Sequence, residues 1–316
     1  MSDASSLPYR LRPNKAVDRE LFLSLLSRLN PLLRLNDYKY VGLGGPFLED
    51  FRLIHARIGI HKMDCIEMEE EVHLRQKFNK PIESIQCLHD TLEDYLASSD
   101  FIDPIILWLD YTDPKQLLAQ IESFAEQAQE LAIGSVVRIT LNANPESLGK
   151  PPVGEEATVL PWRLARFKER VGEYYAADLR PDDASRKRYG VTVLGALKLA
   201  TDRRMLETLD RRVCWALATT YADGQPMATA TVIIVGNDDS AIEPLIKGWE
   251  YWSSPGDPLV LDMPALSTLE RLTMEAHDDP RSRMKFPLPL SAMGQDPFDA
   301  FKRFYRVFPH FSRVEL

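Results

Sequence analysis

The chain predicts an α/β protein: a mostly parallel sheet closed by an antiparallel hairpin, with helices on both faces and helical additions. Three observations point to it. Four short apolar runs, at 38–41, 63–66, 84–88 and 105–109, end respectively in Gly42-Leu43-Gly44-Gly45, Glu67, His89-Asp90 and Asp110. Amphipathic helical stretches alternate with them, the pattern of a parallel sheet with right-handed crossovers. Further on, Ala222-Asp223-Gly224-Gln225-Pro226 joins two strand-like runs, a strong hairpin signal.

Each element has a local reason. Residues 1–16 read as an extended arm, because Pro8 and Pro13 disfavour helix. Asp18 is placed to cap a helix carrying Leu21, Phe22, Leu25, Leu26 and Leu29 on one face, with Asn30-Pro31 as its stop. After the first strand, Phe47, Phe51, Ile54 and Ile58 form a helix face, and Glu49 and Asp50 suit its positive end. Thr91 with Asp94 reads as a capping box after the third strand. Asp113-Pro114 opens a long helix that Gly134 ends, and a fifth strand comes next at 135–141. Residues 145–160 form a Pro/Gly-rich loop, and 162–210 read as two or three charged helices. The hairpin strands lie at 213–221 and 227–235, and 240–316 look helical, with an aromatic tail at 301–311.

Composition narrows the function classes. The chain has 316 residues, 45% hydrophobic and 27% charged, enough for a full core without staples. A formal charge of −9 argues against holding nucleic acid by a global field. The basic pairs and triplet at 186–188, 203–204 and 211–212 read as solvated helix faces. Cys65, Cys87 and Cys214 are too few and scattered for a disulfide framework or a zinc site, and read as reduced core thiols. The first residues lack a signal-peptide pattern and no apolar run reaches spanning length, so the expected location is cytoplasmic.

Ligands of open α/β sheets bind beyond the carboxyl ends of the strands, where this chain gathers glycines and acids. A dinucleotide fingerprint needs a third glycine where Phe47 stands, and Pro46 removes a backbone N–H that would hold a pyrophosphate. A cofactor without phosphates is not affected by that loss, and S-adenosylmethionine is one. Glu67, 25 residues beyond Gly42, suits its ribose hydroxyls, and Asp90 suits its adenine amine. The competing reading is that each acid merely caps the helix after it.

The run from Tyr40 to Glu67, with Asp90 and Asp110 in register, resembles the class I S-adenosylmethionine-dependent methyltransferases. Leu11-Arg12-Pro13-Asn14-Lys15, Tyr40-Val41-Gly42, Phe47-x-x-Asp50-Phe51-x-x-x-His55 and Met63-Asp64-Cys65-Ile66-Glu67 resemble a bacterial group of O-methyltransferases. The resemblance implies a Rossmann-like methyltransferase fold, S-adenosylmethionine as cofactor and methyl transfer. It implies no substrate. Residues 1–235 are then the core with its arm and helix, 145–210 a helical insertion covering the acceptor site, and 236–316 a helical extension packed on the core. The cofactor-binding candidates are Tyr40, Gly42, Gly44, Gly45, Glu67, Met68, Asp90, Thr91 and Asp110. One departure stands out: enzymes of this class carry an acid two residues before the first glycine, and here that position is Tyr40. Asn14 and Lys15, or Asp110, are the candidates to hold the methionine amino group instead.

The chemistry end is expected at Asp110 and Tyr111, the catalytic candidates, with Asp113 as a helix cap. Asp110, Asn142 and Asn144 resemble a magnesium site in placement, but one acid and two amides suit magnesium poorly, and no metal is expected. His55 reads as a packing residue. The expected partner is a small-molecule or unidentified acceptor, not nucleic acid or a membrane, and a homo-oligomer stays open. A second function class is a non-catalytic cofactor-binding or protein-interaction module, motivated by Tyr40 and the lack of an evident base. Turnover on a cell extract separates the two. A nicotinamide oxidoreductase ranks third because of Pro46 and Phe47.

Overall fold

In a computed structural model, which describes residues 12–155, 158–290 and 293–308, the runs that end in glycine or acid become parallel strands. Residues 1–11, including Leu11 of the arm motif, and 309–316, including 309–311 of the aromatic tail, lie outside the described residues. In chain order the regular elements are α1 (Pro13–Leu33), β1 (Lys39–Leu43), α2 (Glu49–Ile58), β2 (Lys62–Glu67), α3 (Glu70–Asn79), β3 (Ile85–His89), α4 (Leu92–Ser98) and β4 (Ile105–Asp110). Next come α5 (Leu117–Glu130), β5 (Val136–Asn142), α6 (Val159–Val171), α7 (Tyr189–Met205), β6 (Arg211–Asp223) and β7 (Gln225–Gly236). The last are α8 (Ile242–Lys247), β8 (Leu259–Leu261), α9 (Thr268–Ala276) and α10 (Pro297–Phe304).

One sheet contains all eight strands, in the order β3-β2-β1-β4-β5-β7-β6-β8. β1 to β5 are mutually parallel, and β7 alone runs antiparallel to its two neighbours. This is the mostly parallel, Rossmann-like sheet with an antiparallel hairpin that the sequence predicts. The order reverses between β1 and β4, and a reversal of this kind opens a crevice at the carboxyl edge of the sheet. Gly42 of β1 pairs in register with Trp108 of β4, so the bend after Leu43 and Asp110, the last residue of β4, lie at the same edge of the sheet.

Helices cover both faces. On one, Leu21, Phe22 and Leu25 of α1 and Phe51 and Ile54 of α2 pack with Trp108. On the other, Ile121 and Phe124 of α5 and Val193 and Leu197 of α7 pack with Val137, Ile139 and Val232. All seven residues of β5 are buried, as a central strand covered on both sides requires.

Four expectations need correction. The arm does not extend to residue 16: α1 starts at Pro13, the first helical position, where proline's missing N–H costs nothing. Asp18 is therefore interior to α1 rather than its cap. It is 1% exposed and pairs with Arg138, which is fully buried on β5. Asn30-Pro31 does not stop the helix, which runs on to Leu33 and closes where Arg34 turns left-handed (φ 55°) and donates its N–H to the Asn30 carbonyl. The stretch after 240 holds a strand, β8, which joins β6 in parallel. Three residues between Pro258 and Asp262 leave no readable period.

The hairpin forms as expected, with Gly224 at φ 95° supplying the left-handed turn. It also caps α1 from a distance. Arg12 gives α1 no side-chain cap; instead Asp223 accepts from the backbone N–H groups of Asn14 (3.3 Å) and Lys15 (2.7 Å). A carboxylate there meets both the orphan donors and the positive helix end.

Candidate functional site

The first two strand ends converge through one side chain. Gln76, fully buried on α3, donates its amide to the Gly44 carbonyl and to Glu67 Oε2, the latter at 3.4 Å. The bend after β1 and the acid ending β2 are thereby held together. Sequence reasoning misses Gln76, since one amide in a polar helix carries no periodic signal. Glu67 Oε1 accepts from the Glu69 N–H at 3.0 Å, and burial raises the carboxyl above its ordinary value, against the backbone donors at Glu69 and Met68. A carboxylate oxygen has capacity for two donors, so each oxygen of Glu67 can take a further hydroxyl.

Beside it, the Asp90 N–H donates to the Glu67 carbonyl at 3.2 Å, and Asp90 Oδ1 accepts from the Thr91 N–H at 2.8 Å. Thr91 caps α4, accepting from the Asp94 N–H at 3.1 Å, as the capping reading expects. Met68 is 64% exposed next to Glu67, and its carbonyl lies 3.0 Å from His89 Nε2. Glu67, Met68, Asp90 and Thr91 thus form one continuous rim over the ends of β2 and β3.

The glycines act mainly inward. A Cβ on Gly42 would meet the Tyr40 hydroxyl at 2.9 Å, and one on Gly44 would meet Cys65 Sγ and Leu48 Cδ2 at 2.8 Å and Phe51 at 2.9 Å. The absent side chain of Gly44 therefore lets α2 close onto the strand, and that of Gly42 leaves room for the Tyr40 ring. Gly45 starts the turn into α2, its carbonyl accepting from the Leu48 N–H at 3.2 Å. Tyr40 lies beneath this bend. It is 1% exposed, edge-on to Phe51 with centroids 4.9 Å apart, and burial, then Asp50, keeps its hydroxyl protonated far above neutrality.

At the end of β4, Asp110 turns toward α1 and Tyr111 turns away. Asp110 Oδ2 lies 3.4 Å from Lys15 Nζ, with both side chains 12% exposed. Asp110 Oδ1 is buried with no hydrogen-bond partner among the described residues. Tyr111 instead packs in the opposite core, its hydroxyl 3.3 Å from Ser123 Oγ on α5, and burial pushes it up to about 12. The two catalytic candidates are thus adjacent in sequence but on opposite faces of the sheet, because side chains alternate along a strand.

Other candidates are engaged locally. Asn142 donates to the Thr112 carbonyl (3.2 Å) and Gln225 Oε1 (2.7 Å), and Asn144 Oδ1 accepts from the Glu146 N–H (3.1 Å). Among the described residues no group of three or more His, Cys, Asp or Glu is arranged to hold a metal ion. His55 Nδ1 sits 2.8 Å from the Ile60 carbonyl, tying α2 to the chain after it. Trp249 is buried against Tyr251. A cavity of about 760 Å³ lies between α6, α7 and the turn at Pro255-Gly256. That turn precedes β8, four strands from β4, or about 19 Å at about 4.8 Å per strand. No described helix is long and apolar enough to cross a membrane.

Several solved structures are similar in fold at low identity. The N-methyltransferase NodS from Bradyrhizobium japonicum WM9 is 10% identical, with a TM-score of 0.39 over 69% of this chain and 95% of that one. Trm1 from Pyrococcus horikoshii, solved with S-adenosyl-L-methionine, is 15% identical, with a TM-score of 0.44 over 73% and 57%. An rRNA methylase from Streptococcus thermophilus is 11% identical, with a TM-score of 0.34 over 68% and 95%. No curated protein sequence matches the chain. Residues 7–316 match the family described as "Putative O-methyltransferase", and the chain belongs to that methyltransferase family.

Proposed function

We propose that the carboxyl edge of β1, β2 and β4 binds S-adenosylmethionine, and that the chain transfers its methyl group to an oxygen of its acceptor. The observation that carries this reading is the Gln76 bridge. It sets a partly buried carboxylate, with acceptor capacity to spare, beside a bend whose glycines carry no side chain. The unpartnered Asp110 Oδ1 on the far side of the bend adds a second acceptor. The site therefore fits a ligand with a vicinal diol at one end and an amine at the other. Family membership supports the choice of oxygen.

When bound, the cofactor supplies an electrophilic methyl group on a sulfonium. Glu67 accepts from the two ribose hydroxyls, Asp90 takes the adenine amine, and Met68 and Thr91 flank them. The bend at Gly42, Gly44 and Gly45 admits the nucleoside close to the backbone, and Tyr40 supports the bend from below. Pro46 costs nothing here, because no phosphate needs its N–H. Asp110 serves the methionine end. Tyr111 braces the end of β4 against α5 and does not touch the reacting atoms. Displacement at a methyl group draws most of its acceleration from alignment, which these fixed strand ends provide.

Calorimetry with S-adenosylmethionine and S-adenosylhomocysteine tests the reading. The native protein should bind both, and Glu67→Ala should weaken both about 10- to 100-fold, the value of losing hydrogen bonds to a charged group. No heat with native protein would remove the cofactor assignment. Transfer of labelled methyl to hydroxyl but not amine acceptors would support oxygen as the atom methylated, and the reverse would overturn it.

A further inference from the structure

An α-amino acid carries a positive and a negative charge on adjacent groups, and a receptor for it needs the opposite pair. The carboxyl end of β1 supplies neither charge: Lys39 sits at the other end of the strand, paired with Asp64, and Tyr40 occupies the position expected to hold an acid, its ring sealed beneath the bend. Asn14 is also committed. Its amide nitrogen donates to the Ala222 carbonyl and Asp223 Oδ1, and its amide oxygen accepts from the Met263 N–H.

The geometry points to Lys15 and Asp110 as a paired receptor for a zwitterionic α-amino-acid group, Asp110 taking the ammonium and Lys15 the carboxylate. This deepens the cofactor reading of the same site and rests on it.

Three features support the pairing. First, placement: Asp110 ends β4, two residues beyond the Trp108 that pairs with Gly42, on the α1 side of the sheet, and Lys15 reaches it from the first turn of α1. Second, an incompletely satisfied acid: Asp110 Oδ2 lies 3.4 Å from Lys15 Nζ, long for a charge-assisted bond, and Asp110 Oδ1 has no donor among the described residues although buried. A buried acceptor without a donor is costly, and an incoming ammonium would relieve that cost. Third, preorganisation: Asp223 accepts from the Lys15 N–H at 2.7 Å, so the lysine backbone is fixed before any ligand arrives. The neighbouring phenols of Tyr40 and Tyr221 are fully buried and protonated, and bring no competing charge.

Two probes isolate the amino-acid end. S-adenosylhomocysteine carries it; 5′-methylthioadenosine keeps the nucleoside and thioether but lacks it. Calorimetry on the full chain should show native protein binding S-adenosylhomocysteine at least about tenfold more tightly. Lys15→Met and Asp110→Asn should each weaken S-adenosylhomocysteine about 10- to 100-fold and leave methylthioadenosine within about twofold. Lys15→Arg should restore part of the loss, and unchanged circular dichroism shows that each variant folds. If the variants weaken both probes equally, or native protein does not distinguish them, the paired receptor is wrong while the nucleoside site stands. If native protein binds neither probe, the cofactor reading falls and this inference with it.

Discussion

Asp18 and Arg138 form an ion pair sealed between α1 and the sheet, with Oδ2 and Nη2 2.5 Å apart and neither side chain more than 1% exposed. Three further features make so buried a pair tolerable. Thr219 and Thr229 donate hydroxyls to Asp18 Oδ1 at 2.7 and 3.1 Å. Arg138 also donates to Thr231 at 2.8 Å, and its guanidinium lies over the rings of Phe22 and Trp108, 4.7 and 4.8 Å from their centroids. Removing one partner leaves an uncompensated buried charge, so Asp18→Ala or Arg138→Ala should each cost about 3–5 kcal/mol. The double variant should lose clearly less than the sum. Urea unfolding of the three variants checks this; additive losses would mean that the residues do not act as a pair.

Gly44 is a packing requirement before it is a ligand feature. A Cβ there meets three neighbours at 2.8–2.9 Å, two of them from α2 or its cap. Gly44→Ala should therefore destabilise the protein by about 1–3 kcal/mol, the usual range for overpacking, visible as a lower melting temperature without ligand. An unchanged melting temperature would mean that α2 shifts freely. Larger substitutions at this position do not test cofactor binding cleanly, and Glu67 is the better site for that.

How much can be seen in the sequence varies by residue. Val41, Ile66, Leu107 and their neighbours sit in runs that are apolar on both faces, so strand ends and their acids can be located by pattern alone. The hairpin is equally plain, because Asp223-Gly224 states its own turn. By contrast, Pro13 reads as a breaker although it is the first residue of α1, and the two roles differ only in whether the residues after the proline continue as helix. The tertiary roles of Asp18, Asp223 and Gln76 are invisible for another reason. Asp18 pairs with a residue 120 positions away, and Asp223 caps a helix 208 positions away. A short-range pattern contains no such information. The separation of Tyr111 from Asp110 is foreseeable, since neighbours on a strand face opposite ways.

Glu67 gives the site a defined pH response. Burial raises its pKa above 4.5 in the folded chain. Without ligand, the folded state binds the proton more readily than the unfolded chain does. This contribution to stability is therefore fully present below 4.5 and lost as pH rises through the raised value. Ligand binding has the opposite sign, because hydroxyl donors prefer the ionised acceptor. Affinity for S-adenosylhomocysteine should rise as pH rises through the same value, and Glu67→Gln should bind more weakly with that step absent. Calorimetry of both proteins across the acid range decides the point; parallel profiles would show that another group controls the step.

Tyr111 separates a bracing residue from a reacting one. Its hydroxyl, pushed up to about 12 by burial, is protonated at neutral pH and faces Ser123 on α5 at 3.3 Å. It cannot serve as a base in that state. Tyr111→Phe removes one buried hydrogen bond and should cost about 1 kcal/mol of stability, with S-adenosylhomocysteine affinity and methyl-transfer rate close to native. Asp110→Asn should instead lower affinity with only a small net change in stability, since it gives up the long Lys15 ion pair but also removes the charge of a buried carboxylate oxygen that has no donor among the described residues. Denaturation midpoints, calorimetry and single-turnover transfer on the two variants give opposite patterns if the faces of β4 divide these roles. A rate loss in Tyr111→Phe as large as that in Asp110→Asn would place the phenol among the reacting groups and overturn the division.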